Sequence, residues 1–182
     1  MKHALLLFIG MGVQQALQSV VSHPTDAAFL NRTHGVFLAD SVAPLDDREA
    51  VIGLAHDLLR AISTRDTALA RRVLAPGAQL VAATDPAPAS GTVRIQSDTA
   101  FLRSIGNGTA RYLERMWQPS ATVHGTVALV HAPYDFHING KFSHCGTDTF
   151  TLAKGADGWR ITHLAYTVQR AGCAPSPLGA PR

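Results

Sequence analysis

The chain has 182 residues, 46% of them hydrophobic and 16% charged, which suits one globular domain with a packed core and excludes disorder over most of its length. Sixteen Lys and Arg against 13 Asp and Glu give a net charge of +3. The basic residues are scattered singly or in pairs such as Arg71-Arg72, so a nucleic-acid partner is not expected.

The N-terminus reads as an export signal. Met1-Lys2-His3 is a short positive region, and Ala4 to Val13 is an apolar run too short to span a bilayer. Val20 and Ser22 suit a cut after Ser22, giving residues 1–22 as a leader and a soluble, secreted or periplasmic product with no membrane partner. Residues 23–45 mix Pro24, Asn31, Gly35 and Pro44 with few apolar positions and read as a linker or arm. The domain is expected over 46–173. The Pro-rich stretch 174–182 is expected to be a mobile tail.

Within the domain, Asp46 and Glu49 suit a capping box, and Val51, Ala55, Leu58, Leu59 and Ile62 repeat at helical spacing. Asp66 or Thr67 starts a second helix carrying Leu69, Val73 and Leu74, stopped by Pro76-Gly77. Short strands follow at Gln79–Thr84 and Thr92–Ile95, around an Asp85-Pro86-Ala87-Pro88 loop. Ser97 or Asp98 caps a third helix with Phe101, Leu102 and Ile105. From Ala110 the pattern is strand: Tyr112–Trp117, Thr122–Ile138, Lys141–Ala153 and Trp159–Gln169, with Asn139-Gly140 as a type I′ hairpin turn. Helices followed by hairpin-linked strands indicate an α+β layer fold.

This order resembles the nuclear-transport-factor-2-like superfamily. The most specific pieces are the Val51 to Leu59 run leading to Arg65-Asp66, Ala132-Pro133-Tyr134-Asp135-Phe136, Ser143 to Phe150, and Gly158-Trp159-Arg160-Ile161. They look most like the SnoaL-like and lumazine-binding-like branch. The resemblance implies a cone-shaped α+β barrel with three N-terminal helices on a curved antiparallel sheet, shared with ketosteroid isomerases, and often a dimer through the convex face. Helix one here lacks the tyrosine that ketosteroid isomerases use. The helix-one residue His56 is expected at the surface or edge.

Strand alternation locates the candidate pocket. On Lys141–Ala153 the set Phe142, His144, Gly146, Asp148, Phe150 and Leu152 carries the large apolar residues and should face the interior; Ser143, Cys145, Thr147, Thr149 and Thr151 should face out. Tyr134 and Phe136 point inward on the preceding strand, and His131, Asp135 and His137 outward. On the last strand Trp159, Ile161 and His163 favour one parity and Leu164, Tyr166 and Val168 the other, so a bulge is needed to reconcile them. Asp148, His144 and Tyr134 are the catalytic candidates, and Trp117, Phe136, Phe150, His163 and Tyr166 the ligand-binding ones.

The leading function is a domain binding a small aromatic or heterocyclic molecule. For Asp148 a structural role, accepting from a neighbouring strand or Arg160, comes first; the alternative is a cofactor-free isomerase, dehydratase or cyclase with Asp148 as general acid or base and His144 and Tyr134 at the oxyanion. A third reading is a homodimeric assembly through Ser143, Thr147, Thr149 and Thr151. No metal is expected, since His131 and His137 diverge from His144 and no close ligand pair occurs. Export permits a Cys145–Cys173 disulfide, but strand pairing separates the two unless Gly172 turns the chain back.

Overall fold

Helix α1, Leu45–Thr64, buries the face its spacing predicts: Val51, Ala55 and Leu58 are 0% exposed, Leu59 3% and Ile62 7%. The computed structural model describes residues 45–84 and 91–181. The expected leader and most of the expected arm therefore lie outside the described residues. Asp47 fastens the start of α1 to the far end of the sheet, accepting from Lys154 Nζ at 2.7 Å and Trp159 Nε1 at 2.8 Å. Arg65, with φ 57°, ends the helix, and Asp66 caps α2, Thr67–Val73, by accepting from the Leu69 N–H at 2.8 Å.

The chain then alternates between strand and helix. The strands are β1 (Leu74–Thr84), β2 (Val93–Ser97), β3 (Tyr112–Met116), β4 (Ser120–His124), β5 (Val127–Ile138), β6 (Lys141–Gly155) and β7 (Gly158–Val168). Helix α3, Asp98–Gly106, is capped by Ser97, which accepts from the Ala100 N–H. The seven strands form one sheet in the order β2-β1-β7-β6-β5-β3, with β4 also on β5. Helix α1 packs on β3, β4 and β7, and α3 on β1 and β2, so one face of the sheet is covered. Among the described residues no helix is long and apolar enough to cross a membrane.

Three features differ from the expected sheet. The β1–β7 pair is parallel, joining the first and last strands, so the sheet is mixed rather than wholly antiparallel. The expected single strand Thr122–Ile138 is two, broken where Gly125 takes φ 57°. Strand β1 begins at Leu74, so α2 ends before Pro76-Gly77, and the irregularity those residues cause falls inside the strand between Leu74 and Gln79.

Two register shifts fix which side chains face the core. On β7 the shift opposite Thr151/Leu152 brings Ile161 and Leu164 to the same face, reconciling the two parities. Its other effect is to pair His163 with Thr151 on the opposite face. Near the β5–β6 turn, Phe136 pairs with His144 but His137 pairs with Phe142. Phe142 is thereby turned outward and is 49% exposed, against its expected inward direction.

Gly172, with φ 72°, does turn the chain back, and Cys145 and Cys173 form a disulfide with Cα atoms 6.1 Å apart. The tail beyond it lies on the outer face, where the Gly179 carbonyl accepts from Arg115 at 3.1 Å. Asp135 and His137, expected to point out, do so but are buried there, 4% and 6% exposed, in a pocket shared with the disulfide and Ser176.

Candidate functional site

Register rows running across the sheet assemble the site. One row is Ala132 (β5), Asp148 (β6), Tyr166 (β7), Ala82 (β1) and Arg94 (β2). A neighbouring row is Val130, Phe150, Leu164, Leu80 and Gln96. At the other side Glu114 (β3), Phe136 (β5) and His144 (β6) lie in line. Each row places its side chains on one face.

Between these rows and the helices is a cavity of about 250 Å³. Its apolar wall comes from Ile62 of α1, Phe101 and Ile105 of α3, and Leu80, Phe136 and Leu164 of the sheet. Its polar groups are Arg94, Gln96, Ser104, Tyr112, Glu114, His144 and Tyr166. The volume is just below the usual range for small-molecule pockets, roughly 300–1,000 Å³.

Of the residues singled out in the sequence, Phe136, His144 and Tyr166 line this cavity. His144 stacks on Phe136 with ring centres 4.9 Å apart. Burial, and then the positive charge of Arg170, lower its pKa to about 4, so near neutral pH it is an uncharged imidazole. Burial is also the main cause raising the Tyr166 hydroxyl, opposed by the Arg94 guanidinium beside it.

The other candidates sit elsewhere. Phe150 is fully buried in the core, His163 is on the outer face, and Trp117 follows β3, where its backbone N–H donates to the Pro133 carbonyl at 3.2 Å. Tyr134 is 1% exposed and donates its hydroxyl to the Thr167 carbonyl at 2.7 Å. Asp148 is 0% exposed, does not line the cavity, and among the described residues neither of its oxygens has a hydrogen-bond partner. Arg160, expected as its partner, instead reaches the carbonyls of Arg71 and Arg72.

Glu114, not among the residues singled out, is the carboxyl group that faces the cavity. Burial, and then the negative charge of Asp135 on the other side of the sheet, push its pKa up to about 8. Asp148 is raised well above the ordinary carboxylate range by burial and then by Glu114. Two neutral carboxylic acids thus stand at neutral pH where two charges would be costly. A signal for Glu114 was available: it shares parity on β3 with Tyr112 and the buried Met116. Arg94 and Gln96 had none, because β2 is five residues long and mostly exposed. Among the described residues no three His, Cys, Asp or Glu side chains gather as a metal site.

No protein-family model matches the sequence, and no curated protein matches it. Solved structures do match the fold. A nuclear transport factor 2-like superfamily protein from Salmonella enterica serovar Typhimurium is 16% identical, with 70% of this chain and 94% of that one covered and a TM-score of 0.55. A protein of the same kind from Cytophaga hutchinsonii is 10% identical, covering 66% and 97%, with a TM-score of 0.56. One from Novosphingobium aromaticivorans with a cystatin-like fold is 15% identical, covering 71% and 86%, at 0.53. The chain has the nuclear-transport-factor-2-like fold that its sequence resembles.

Proposed function

We propose that the cavity binds a small organic molecule with an apolar, aromatic or heterocyclic body, and that Glu114, backed by Asp148, exchanges a proton with an oxygen-bearing group on it. The observation that carries this reading is the pairing of an acid facing the cavity with a second acid sealed behind it. A protonated Glu114 donates a hydrogen bond to a carbonyl or hydroxyl oxygen. With its pKa near 8, it also gives up and regains that proton within about a unit of physiological pH. Asp148, the general acid or base of the alternative read from the sequence, then acts by keeping the neighbourhood poor in negative charge rather than by touching the ligand. The disulfide supports a second part of the reading, a periplasmic or secreted location, because such bonds persist in oxidising compartments.

The test is titration with 4-hydroxyacetophenone followed by amide NMR, together with hydrogen–deuterium exchange at its methyl group in D₂O. Shifts at Leu80, Tyr112, Leu164 and Tyr166 support binding in the cavity. Exchange that disappears in Glu114→Gln while the shifts remain supports Glu114 as the acid that protonates the carbonyl oxygen as solvent water takes the methyl proton, the enol then regaining deuterium at carbon and returning its proton to Glu114. Absence of shifts at all four residues sinks the binding reading. Exchange unaffected by Glu114→Gln sinks the assigned role of Glu114.

A further inference from the structure

We infer that the ligand of this cavity carries an anionic group, a carboxylate in the first instance, held at the β2 rim by Arg94 while its other end reaches Glu114. The inference rests on the binding reading above and adds the chemical class and orientation of the molecule.

The two ends of the cavity differ in charge. The inner end holds Glu114, with Asp148 behind it. An anion placed there would find one donor, the Glu114 hydroxyl, and no cation to offset its lost hydration. The rim is built differently. Arg94 and Gln96 are two residues apart on β2 and so share a face, and both line the cavity. Ser104 of α3 fixes the Gln96 amide, its hydroxyl accepting from Gln96 Nε2 at 3.4 Å while donating to the Phe101 carbonyl at 2.7 Å. Guanidinium and amide donors therefore stand on one side.

Arg94 is directed inward for a structural reason. It shares a register row with Tyr166, and the one residue between them, Ala82, is too small to separate the two side chains. Among the described residues Arg94 is the one Lys or Arg on the cavity wall. The other basic group there, His144, is uncharged near neutral pH. Arg65 is engaged elsewhere, bonded to the Ala110 and Ile105 carbonyls and lying 4.6 Å from the Tyr112 ring centre. Arg94 makes no ion pair with an acid among the described residues, so a planar carboxylate is a fitting partner for its fork of donors.

The test compares 4-hydroxybenzoate with 4-hydroxybenzamide, which has the same shape and phenol but no charge, by calorimetry and amide NMR at neutral pH. The acid should bind about tenfold tighter or more, a preference of about 1.4 kcal/mol, as suits one charge-assisted contact at a partly wet rim. Added salt should erode the preference, and Arg94→Gln should reduce it to within about twofold. Equal or tighter binding of the amide, or a preference that survives Arg94→Gln, overturns the anionic class while leaving a binding cavity in place. If neither compound shifts a cavity residue, the binding reading falls and takes this inference with it.

Discussion

The Tyr134 hydroxyl donates to the Thr167 carbonyl at 2.7 Å, reaching from β5 to β7 across β6 at Gly146, the residue paired with Tyr134. The strands come so close there that a Cβ on Gly146 would lie 2.0 Å from the Thr167 oxygen. Tyr134 is thus a strut between strands, and its proton is committed to the backbone.

Gly146→Ala should therefore destabilise the domain by more than about 3 kcal/mol, since backbone rather than a flexible side chain must move. Tyr134→Phe should cost about 1–3 kcal/mol by leaving the Thr167 carbonyl short of a donor. Urea unfolding measures both. Tyr134→Phe should leave ligand affinity within about twofold of the parent; loss of binding at unchanged stability would return the hydroxyl to the site.

The pH dependence of stability follows from the cavity acids. A raised carboxyl pKa means that the folded state holds a proton the unfolded chain has released, so stability falls as pH rises from the ordinary 4.5 of Glu114 to about 8. His144 acts in the opposite sense: its folded pKa of about 4 lies below the ordinary 6.5, so its contribution is complete above 6.5 and is lost as pH falls. The two oppose each other below pH 6.5, and between 6.5 and 8 the acids act without it. There Glu114 should contribute a loss of at most about 1.4 kcal/mol per pH unit. Glu114→Gln should flatten the slope in that window, as read from urea midpoints at several pH values. A slope unchanged by the substitution would mean that Glu114 is ionised in the fold at neutral pH.

Long elements were legible in the sequence because their period is repeated often enough to fix a face. The helix-one stripe Val51 to Ile62 and the inward set His144, Asp148, Phe150 and Leu152 emerge as read. What failed was local. A single glycine, Gly125, divides a stretch whose β-branched residues read as continuous, and the register shift near Ser143 turns Phe142 outward without any mark in composition. The site was harder still. Inward direction does not separate a side chain that reaches the cavity from one buried beneath it, so Asp148 and Phe150 were candidates on the same grounds as His144. Glu114 lay on a five-residue strand whose charged character hid its apolar parity. Arg94 depends on pairings between strands far apart in the chain.

Asp148→Asn tests the sealed acid. Among the described residues both Asp148 oxygens lack a hydrogen-bond partner, and its pKa is raised by burial and then by Glu114, so the residue is neutral in the fold and an amide of the same shape should replace it at little cost. The variant should match the parent within about 1 kcal/mol below the ordinary 3.8 of Asp148 and exceed it by a margin that grows as pH rises above that value, already at neutral pH, because the unfolded carboxylate is then ionised while the folded one keeps its proton. The Glu114 carboxyl, followed by ¹³C NMR, should titrate with little change below the pH at which Asp148 itself ionises. A loss of several kcal/mol at neutral pH would show that Asp148 carries a charge satisfied by the surrounding core.

The outer face carries the opposite kind of carboxylate. Burial pushes Asp135 up, but two hydrogen bonds from Arg115, at 2.9 and 2.5 Å, and its charge outweigh this and hold the group below the ordinary 3.8. The side chains of the pair are only 15% and 6% exposed. Arg115→Ala would leave a buried carboxylate with the nearby Ser176 hydroxyl and the imidazole of His137, 3.4 Å away, in place of its main partner. The expected loss is about 3–5 kcal/mol at neutral pH. A lowered carboxyl pKa stabilises the fold above the unfolded value, and that contribution disappears as the solution is acidified through the folded one. The deficit of the variant should therefore narrow below about pH 4, and adding Asp135→Ala should restore much of the lost stability at neutral pH because no unpaired charge remains. Thermal unfolding of the two single variants and the double variant measures the coupling. Additive losses would show that Arg115 and Asp135 stabilise the face independently, through packing alone.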